Sequence, residues 1–303
     1  MSVLEAVPPS KLRAALALLV GGESPTASRK VDQFEKLLIG PEAAKSTFWW
    51  ARTPDGPQVA VLIVHTPGRV GMVFQGPPYS RQQELLASLI DRTSREALAQ
   101  PLSLVQALLE ESAVLARQAY LQAGFVDLAR LAYLQRRLED AADLPASLIT
   151  YRTPPKFSLD ELAALLEQTY EDSLDCPGLQ GLRRSSDIIV SHQNTGVYDP
   201  ALWRIAFEGS EPIGCVLMNV VSPANRSVEV VYIGLRKAWR GRGLGRQMLQ
   251  DAMALAHAKG QRSMYLAADA SNVPAMGLYR SLGFVPLQHR LVLIRANREI
   301  SEK

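Results

Sequence analysis

The sequence has little of what marks several classes of protein. Only two of its 303 residues are cysteines, Cys176 and Cys215, which argues against a disulfide framework or a zinc site and favours a reducing cytoplasm. The formal net charge is only +3, too small by itself to indicate a nucleic-acid-binding surface. No apolar run is as long as a membrane span. We therefore expect a cytoplasmic protein without a metal site, with neither nucleic acid nor membranes as partners, and leave its oligomeric state open.

What is present is the composition of a globular protein, because 47% of the residues are apolar and 21% are charged. A length of 303 residues fits one large domain or two ordinary ones. The segment "KLRAALALLVGG", which starts at Lys11, has basic residues before a short apolar run, as signal peptides do. We interpret it as an amphipathic helix, because a similar segment, "LDELAALLEQ", recurs in the second half.

The second half of the chain repeats the first at a constant offset. The segment "AYLQAGFVDLARLAYLQRR" (119–137) aligns with "LYRSLGFVPLQHRLVLIRA" (278–296). Three pairs of identical residues match: Tyr120 with Tyr279, Gly124 with Gly283, and Phe125 with Phe284. The alignment extends without a gap back to "MVFQG" (72–76), which aligns with "VYIGL" (231–235). A duplication explains this pattern better than chance, and it predicts two domains, 1–145 and 146–303.

Each half has the hydrophobic patterns of an α/β domain. In the second half, strands are predicted over 203–207, 213–221, 228–235, 263–267 and 288–295, and helices over 244–259 and 273–282. The seam between the halves is expected in 139–156, where turn-forming residues are frequent.

A glycine-rich turn, "WRGRGLGRQ" (239–247), follows a predicted strand and precedes a predicted helix. This order of elements suits an anion held by backbone N–H groups at a helix N-terminus. A dinucleotide fingerprint would need glycine where Arg246 stands, and a nucleotide P-loop would need Lys and Ser or Thr where Arg246 and Gln247 stand. The turn instead fits the pattern R-x-x-G-x-G, from Arg240 to Gly245.

Together with a second motif, "DASNVPAMGLYRSLGF" (269–284), this turn resembles the GNAT superfamily of acyl-CoA-dependent N-acetyltransferases. The resemblance covers the second half of the chain. With the repeat, it implies an α/β (α+β) fold of two tandem GNAT-like domains, each with a mixed, mostly antiparallel central sheet flanked by helices. It also implies acetyl-CoA as the co-substrate, with the pyrophosphate at the glycine-rich turn and the pantetheine arm along the preceding strand.

The resemblance assigns a set of residues to acetyl-CoA binding: Ile233, Gly234, Leu235, Arg240, Gly241, Arg242, Gly243, Leu244, Gly245, Arg246, Asn272 and Tyr279. It also suggests Tyr279 as the acid for the leaving thiolate, although a core tyrosine would fit the same position. Glu229 is the candidate base, and the alternative is an exposed strand glutamate paired with Arg226. Asn272 also suits a helix N-cap. Direct attack by the amine is expected, because the four histidines share no motif and no histidine accompanies Cys176.

The expected reaction moves an acetyl group to a primary amine carried by a small molecule or a peptide. By resemblance, the acceptor contacts lie in 171–187 and 192–200. The acidic residues there, Glu171, Asp172 and Asp175, could attract a cation, and Arg183 and Arg184 could hold a carboxylate. A solvated loop face is the alternative for both groups. At the offset of the repeat, the three glycines of the turn are replaced by Gln82, Glu84 and Leu86, so only the second half is expected to bind acyl-CoA. The alternative function is a non-catalytic acyl-CoA sensor or a scaffold.

Overall fold

The computed structural model describes residues 2–21, 25–39, 45–76, 82–138 and 149–297. The chain forms two compact units, Met1–Leu128 with Arg290–Lys303, and Ala129–His289. Residues 139–148, which hold much of the predicted seam, lie outside the described residues. Over the described ranges, no helix is long and apolar enough to cross a membrane.

The strands and helices predicted for the second half are observed in the predicted order. The helices are α1 (Leu12–Leu19), α2 (Pro25–Leu37), α3 (Gln83–Leu98), α4 (Val114–Gln122), α5 (Leu159–Tyr170), α6 (Ser185–Gln193), α7 (Leu244–Ala258) and α8 (Val273–Ser281). The strands are β1 (Val3–Ala6), β2 (Thr47–Thr53), β3 (Gly56–Thr66), β4 (Val70–Gln75), β5 (Leu104–Leu109), β6 (Val126–Arg137), β7 (Thr150–Arg152), β8 (Val197–Glu208), β9 (Glu211–Ser222), β10 (Ser227–Leu235), β11 (Ser263–Asp269) and β12 (Val285–Ala296). The amphipathic segment at Lys11 forms α1, as predicted.

Each unit is built on a central sheet. In the described part of the first unit, the strand order is β1-β2-β3-β4-β5-β12, and in the second unit it is β6-β11-β10-β9-β8-β7. The pairs β4–β5 and β10–β11 are parallel, and the other pairs within each unit are antiparallel. Buried Met248, Leu249 and Ala252 recur at helical spacing on α7 and join the core of the second unit. The structure therefore confirms a mixed, mostly antiparallel sheet flanked by helices in each unit.

The last strands of the two halves are exchanged between the units. Strand β6 comes from the first half and pairs with β11 in the second unit, with Arg137 opposite Ser263. Strand β12 comes from the second half and pairs with β5 in the first unit, with Ala296 opposite Leu104. Because each sheet ends with the other half's strand, the compact units do not have the bounds 1–145 and 146–303. That division remains a prediction about the repeat.

The offset between the two halves is the same in most elements but smaller in β4. The bounds of α4 and α8 keep the offset of the repeat, and so do the bounds of β6 and β12. Leu104 and Ser263 are also related by this offset, but the residues opposite them, Val70 and Ser227, are not. The ungapped alignment of "MVFQG" with "VYIGL" is therefore wrong by two residues. The reason is that the connection from β4 to α3 is shorter than its counterpart in the second half.

Candidate active site

A cleft opens in the second unit where two parallel strands diverge. Strands β10 and β11 pair as far as Val230 opposite Leu266. Strand β10 then has a register shift between Val230 and Tyr232, a β-bulge that bends the strand. The cleft has a volume of about 820 Å³, which is in the range of ligand sites. Its walls come from the end of β10, the glycine-rich turn, α8 and the loop after α5.

The glycine-rich turn places backbone N–H groups at one end of this cleft. Gly241 and Gly243 have φ angles of 75° and 78°, a left-handed conformation that glycine adopts without strain. Gly243 is also the N-cap of α7. Among the described residues, the N–H groups of residues 241–245 have no hydrogen-bond partner. The turn therefore offers donors, and the positive end of a helix dipole, to an anion in the cleft.

The guanidinium of Arg240 is used in hydrogen bonds that hold the site together. The side chain lines the cleft, and its guanidinium donates to the carbonyl oxygens of Leu235, Thr169 and Asp172 at 3.0, 2.9 and 3.0 Å. These three bonds tie the end of β10 to the end of α5. The sequence pattern identifies Arg240 but gives no signal for this bracing role.

The other residues of the turn that were assigned to acetyl-CoA divide into two groups. Arg246 lines the cleft and donates to the Ser281 hydroxyl at 2.7 Å. Arg242 and Leu244 are not among the lining residues. The guanidinium of Arg242 lies 4.5 Å from the centre of the Trp239 ring, and Leu244 packs against the core. Arg242 and Leu244 therefore contribute to the turn at the cleft only through their backbone groups.

The strand before the turn forms one wall of the cleft. Ile233, Gly234 and Leu235 all line it. On one side these residues pair with β9, but on the side of β11 the pairing has ended. A Cβ atom on Gly234 would lie 2.5 Å from the Tyr232 hydroxyl, so glycine is required for the tyrosine to fold over the strand. The hydroxyls of Tyr232 and Thr169 are 2.6 Å apart, which fixes that ring against α5.

Helix α8 brings two of the predicted residues to the cleft. Asn272 caps the helix, because its Oδ1 accepts from the Ala275 N–H at 3.2 Å, and it also lines the cleft. Tyr279 lines the cleft, and its ring makes an edge contact with Phe284. No hydrogen bond to the Tyr279 hydroxyl is formed within the part of the chain that the structure describes. Burial raises the pKa of Tyr279, and nearby Asp175 raises it further.

Glu229 lies at a second cavity and not at the cleft that Tyr279 lines. The second cavity has a volume of about 380 Å³, and Leu266 lines both cavities at the point where β10 and β11 diverge. Burial raises the pKa of Glu229. The alternative pairing with Arg226 is not formed, since no ion pair to Glu229 occurs among the described residues. Glu229 therefore does not line the cleft itself, and its role as base remains a proposal.

The loop after α5 contributes a carboxylate that the sequence only marked as a charge. Asp175 lines the cleft, and its carboxylate accepts from the N–H of Asp269 at 2.8 Å, which ties this loop to the end of β11. Burial, and then the charge of Asp269, raise the pKa of Asp175. Asp172 and Cys176 have φ angles of 48° and 47°, a costly conformation for residues other than glycine. Local strain therefore accompanies the placement of Asp175.

Two other candidate residues, Arg183 and Cys176, have surroundings that fit a structural role. Arg183, predicted to hold a substrate carboxylate, donates to the Ser191 hydroxyl and the Asp187 carbonyl within α6. Burial, and then the charge of Asp175, raise the pKa of the Cys176 thiol to about 12. The thiol is therefore protonated near neutral pH, which agrees with the interpretation of Cys176 as a non-nucleophile.

Residues 166–284 match the family model described as acetyltransferase (GNAT) family. This match makes the segment 166–284, less than half of the chain, similar to a GNAT acetyltransferase domain. The matched residues run from α5 to the end of the second motif, so they include every element that forms the cleft. The chain is also similar to the mycothiol acetyltransferase of Corynebacterium glutamicum, with 34% identity over 86 residues. This alignment covers 28% of the chain and only 29% of that relative.

Solved structures extend the likeness to the whole chain. A GCN5-related N-acetyltransferase from Sphaerobacter thermophilus has a TM-score of 0.62 at 20% identity, over 98% of this chain and 96% of that chain. A tandem GNAT protein from the clavulanic acid biosynthesis pathway has a TM-score of 0.52 at 14% identity, over 98% of each chain. At such identities the likeness concerns the fold alone.

Proposed function

We propose that the second unit transfers the acetyl group of acetyl-CoA to a primary amine, by direct attack of the amine. The observation that carries the proposal is the placement of Tyr279 and Glu229 at two cavities that share Leu266. A candidate acid and a candidate base thus flank the point where β10 and β11 diverge. The amine would approach through the cavity of Glu229, and the thioester would lie in the cleft.

The residues of the cleft suit acetyl-CoA. The N–H donors of residues 241–245 fit a pyrophosphate, and Arg246 adds positive charge beside them. The edge of β10 from Tyr232 to Leu235 has lost its partner strand, so its backbone can pair with the amides of a pantetheine arm. When bound, acetyl-CoA supplies an acetyl group activated as a thioester.

The chain's own contribution is to move protons and hold groups in place. Glu229 takes a proton from the attacking nitrogen as the N–C bond forms, and its raised pKa brings it nearer to the value that suits a base at neutral pH. Tyr279 gives its hydroxyl proton to the sulfur as the C–S bond breaks. Because burial raises the pKa of Tyr279, the hydroxyl stays protonated and able to donate.

The test is the dependence of kcat/KM on pH for Glu229→Gln, measured by CoA release with saturating acetyl-CoA. In the native protein, kcat/KM should rise as the pH increases through the pKa of Glu229, because only the carboxylate accepts a proton. Glu229→Gln should lack this rise and be slower by roughly a hundredfold or more.

The matched control is Glu167→Gln, an exposed glutamate on α5 that lines neither cavity. It should keep both the rate and the pH profile. If Glu229→Gln also keeps them, Glu229 is not the base. If acetyl-CoA binds but no amine in a broad panel causes CoA release, the alternative of a non-catalytic acyl-CoA sensor is favoured.

A further inference from the structure

We propose that the 380 Å³ cavity beside Glu229 binds an acceptor that carries one ammonium group on an uncharged, hydroxyl-rich body, such as an amino sugar. This inference rests on the proposed function, since it names the substrate class of that reaction. The cavity has the size of a small-molecule site. An amine at Glu229 would share this cavity with Leu266, which also lines the cleft.

The lining of the cavity has one charged group and many neutral ones. Glu229 is the one carboxylate among the described lining residues, and no lysine, arginine or histidine is found among them. The other polar side chains are hydroxyls and amides, namely Tyr133, Ser222, Asn225, Ser227, Tyr265 and Gln288. A partly buried carboxylate without a cationic partner attracts a single ammonium group. Neutral donors and acceptors suit hydroxyl groups on the remainder of the ligand.

Tyr265 is set to donate a hydrogen bond to such a ligand. It lies directly beside Glu229 across the β10–β11 pair. Its hydroxyl oxygen accepts from the Gln135 amide at 2.8 Å, so that its own proton is not used in this bond. The ring gives an apolar face next to the polar tip, which matches the alternation of C–H and O–H groups on a sugar. The position of Tyr265 therefore favours a ligand with hydroxyls close to its amine.

The same lining disfavours the other common acceptors. A polyamine would place a second ammonium group where the described lining has no second carboxylate. A free amino acid would bring a carboxylate near Glu229 with no cation in the lining to balance it. The residue that the sequence suggested for that role, Arg183, does not line the cavity, and its guanidinium donates to the Asp187 carbonyl and the Ser191 hydroxyl.

The experiment compares kcat/KM for four amines of matched concentration range: glucosamine, spermidine, alanine and cyclohexylamine. CoA release is followed, and the acetylated product is identified by mass. Glucosamine should exceed each of the others by at least about tenfold. Preference for spermidine, alanine or cyclohexylamine would overturn the inference and leave the proposed function standing. No CoA release with any of them would count against the proposed function itself.

A pair of variants locates the binding site. Tyr265→Phe should raise KM for glucosamine about tenfold, with little change in KM for acetyl-CoA, because one hydrogen bond to the acceptor is lost. The control is Tyr151→Phe, a tyrosine whose hydroxyl donates to the Asp251 side chain at 2.6 Å and that lines neither cavity. It should leave both constants unchanged. Equal KM values for glucosamine in Tyr265→Phe and in the native protein would show that the ligand does not bind in this cavity.

Discussion

The two units share one repeat but treat the same tyrosine in opposite ways. Tyr279 lines an open cleft, and among the described residues its hydroxyl has no partner. Tyr120, at the same position of the first unit, is fully buried and donates to the Gln75 side chain at 2.5 Å. Both rings make an edge contact with the phenylalanine that follows, Phe284 and Phe125. The packing around the tyrosine is thus retained, while its hydroxyl is available in one unit and occupied in the other.

The helix that follows the turn, α3 in the first unit and α7 in the second, shows the same kind of difference. Its buried positions recur at the offset of the repeat, for example Leu89 with Met248 and Ile90 with Leu249. At the cleft, however, Leu86 stands where the second unit has Gly245. Leu86 is completely buried in the core of the first unit, whereas Gly245 lines the cleft. A core can therefore be inherited while the space for a ligand is filled by one side chain.

The largest expected effect comes from removing the hydroxyl of Tyr279. Removing the hydroxyl of Tyr120 is the corresponding change in the first unit. Tyr279→Phe should lower kcat by roughly a hundredfold with little change in acetyl-CoA affinity, because general-acid catalysis is lost. Tyr120→Phe should leave kcat unchanged and lower the free energy of unfolding by about 1 kcal/mol, because a buried hydrogen bond is lost. Steady-state kinetics and chemical denaturation of both variants measure the two effects.

This pair of variants can also break the comparison. If Tyr279→Phe keeps the full rate and only loses stability, Tyr279 is a core tyrosine like Tyr120. If Tyr120→Phe lowers kcat as much as Tyr279→Phe does, the first unit takes part in the reaction.

The next effect concerns the glycine-rich turn. Gly243→Val should weaken acetyl-CoA binding about ten- to a hundredfold, which corresponds to the loss of roughly 1.5–3 kcal/mol for a charge-assisted contact. Gly260 is the matched control, because it has the same φ of 78°, it follows the other end of α7, and a Cβ atom there meets nothing within 4 Å either. Gly260→Val should lose comparable stability and keep its affinity. Calorimetric titration with acetyl-CoA distinguishes the two.

An affinity loss of equal size in Gly243→Val and Gly260→Val would mean that backbone strain, and not the position of the turn, weakens binding. An unchanged affinity in a folded Gly243→Val protein would show that the pyrophosphate does not bind at this turn. Only a loss confined to Gly243→Val supports the assignment.

The elements of the second half were predictable because their signals are local. The helix predicted over 244–259 is observed as Leu244–Ala258, and the strand predicted over 213–221 as Glu211–Ser222. Their hydrophobic periods are regular, and glycine ends the helix. The glycine-rich turn is likewise a short, continuous motif. Its position next to a cleft follows once the strand before it is placed in the sheet.

The arrangement of Glu229, Arg240 and the exchanged strands was not predictable in this way. Glu229 lies before the bulge of β10, and a bulge leaves no mark in the alternation of such an apolar strand. The bonds of Arg240 to carbonyls of α5 and the loop after it depend on residues far away in the sequence. The exchange of β6 and β12 is hidden because the two strands are copies of one pattern, and either would suit the edge of either sheet.

The smallest effect is a factor of two in stoichiometry, and it tests the comparison as a whole. We predict one acetyl-CoA site per chain. In the first unit Leu86 occupies the space that Gly245 leaves open, and the Tyr120 hydroxyl is already bound to Gln75. Glu84 lies in the first turn of α3, where its negative charge would oppose a phosphate. A native chain titrated by calorimetry should therefore reach saturation at one equivalent.

The variant Gly243→Val distinguishes a chain with one acetyl-CoA site from a chain with two. If the single site belongs to the second unit, Gly243→Val should give one isotherm near one equivalent, with an affinity about ten- to a hundredfold weaker than in the native chain. If the first unit also binds acetyl-CoA, the native titration should end near two equivalents, and Gly243→Val should keep one of them at the native affinity. In that case Leu86 and Tyr120 would have to move out of the core for the ligand to enter. The retained packing of the first unit, with Tyr120 completely buried against Phe125, argues for the first outcome.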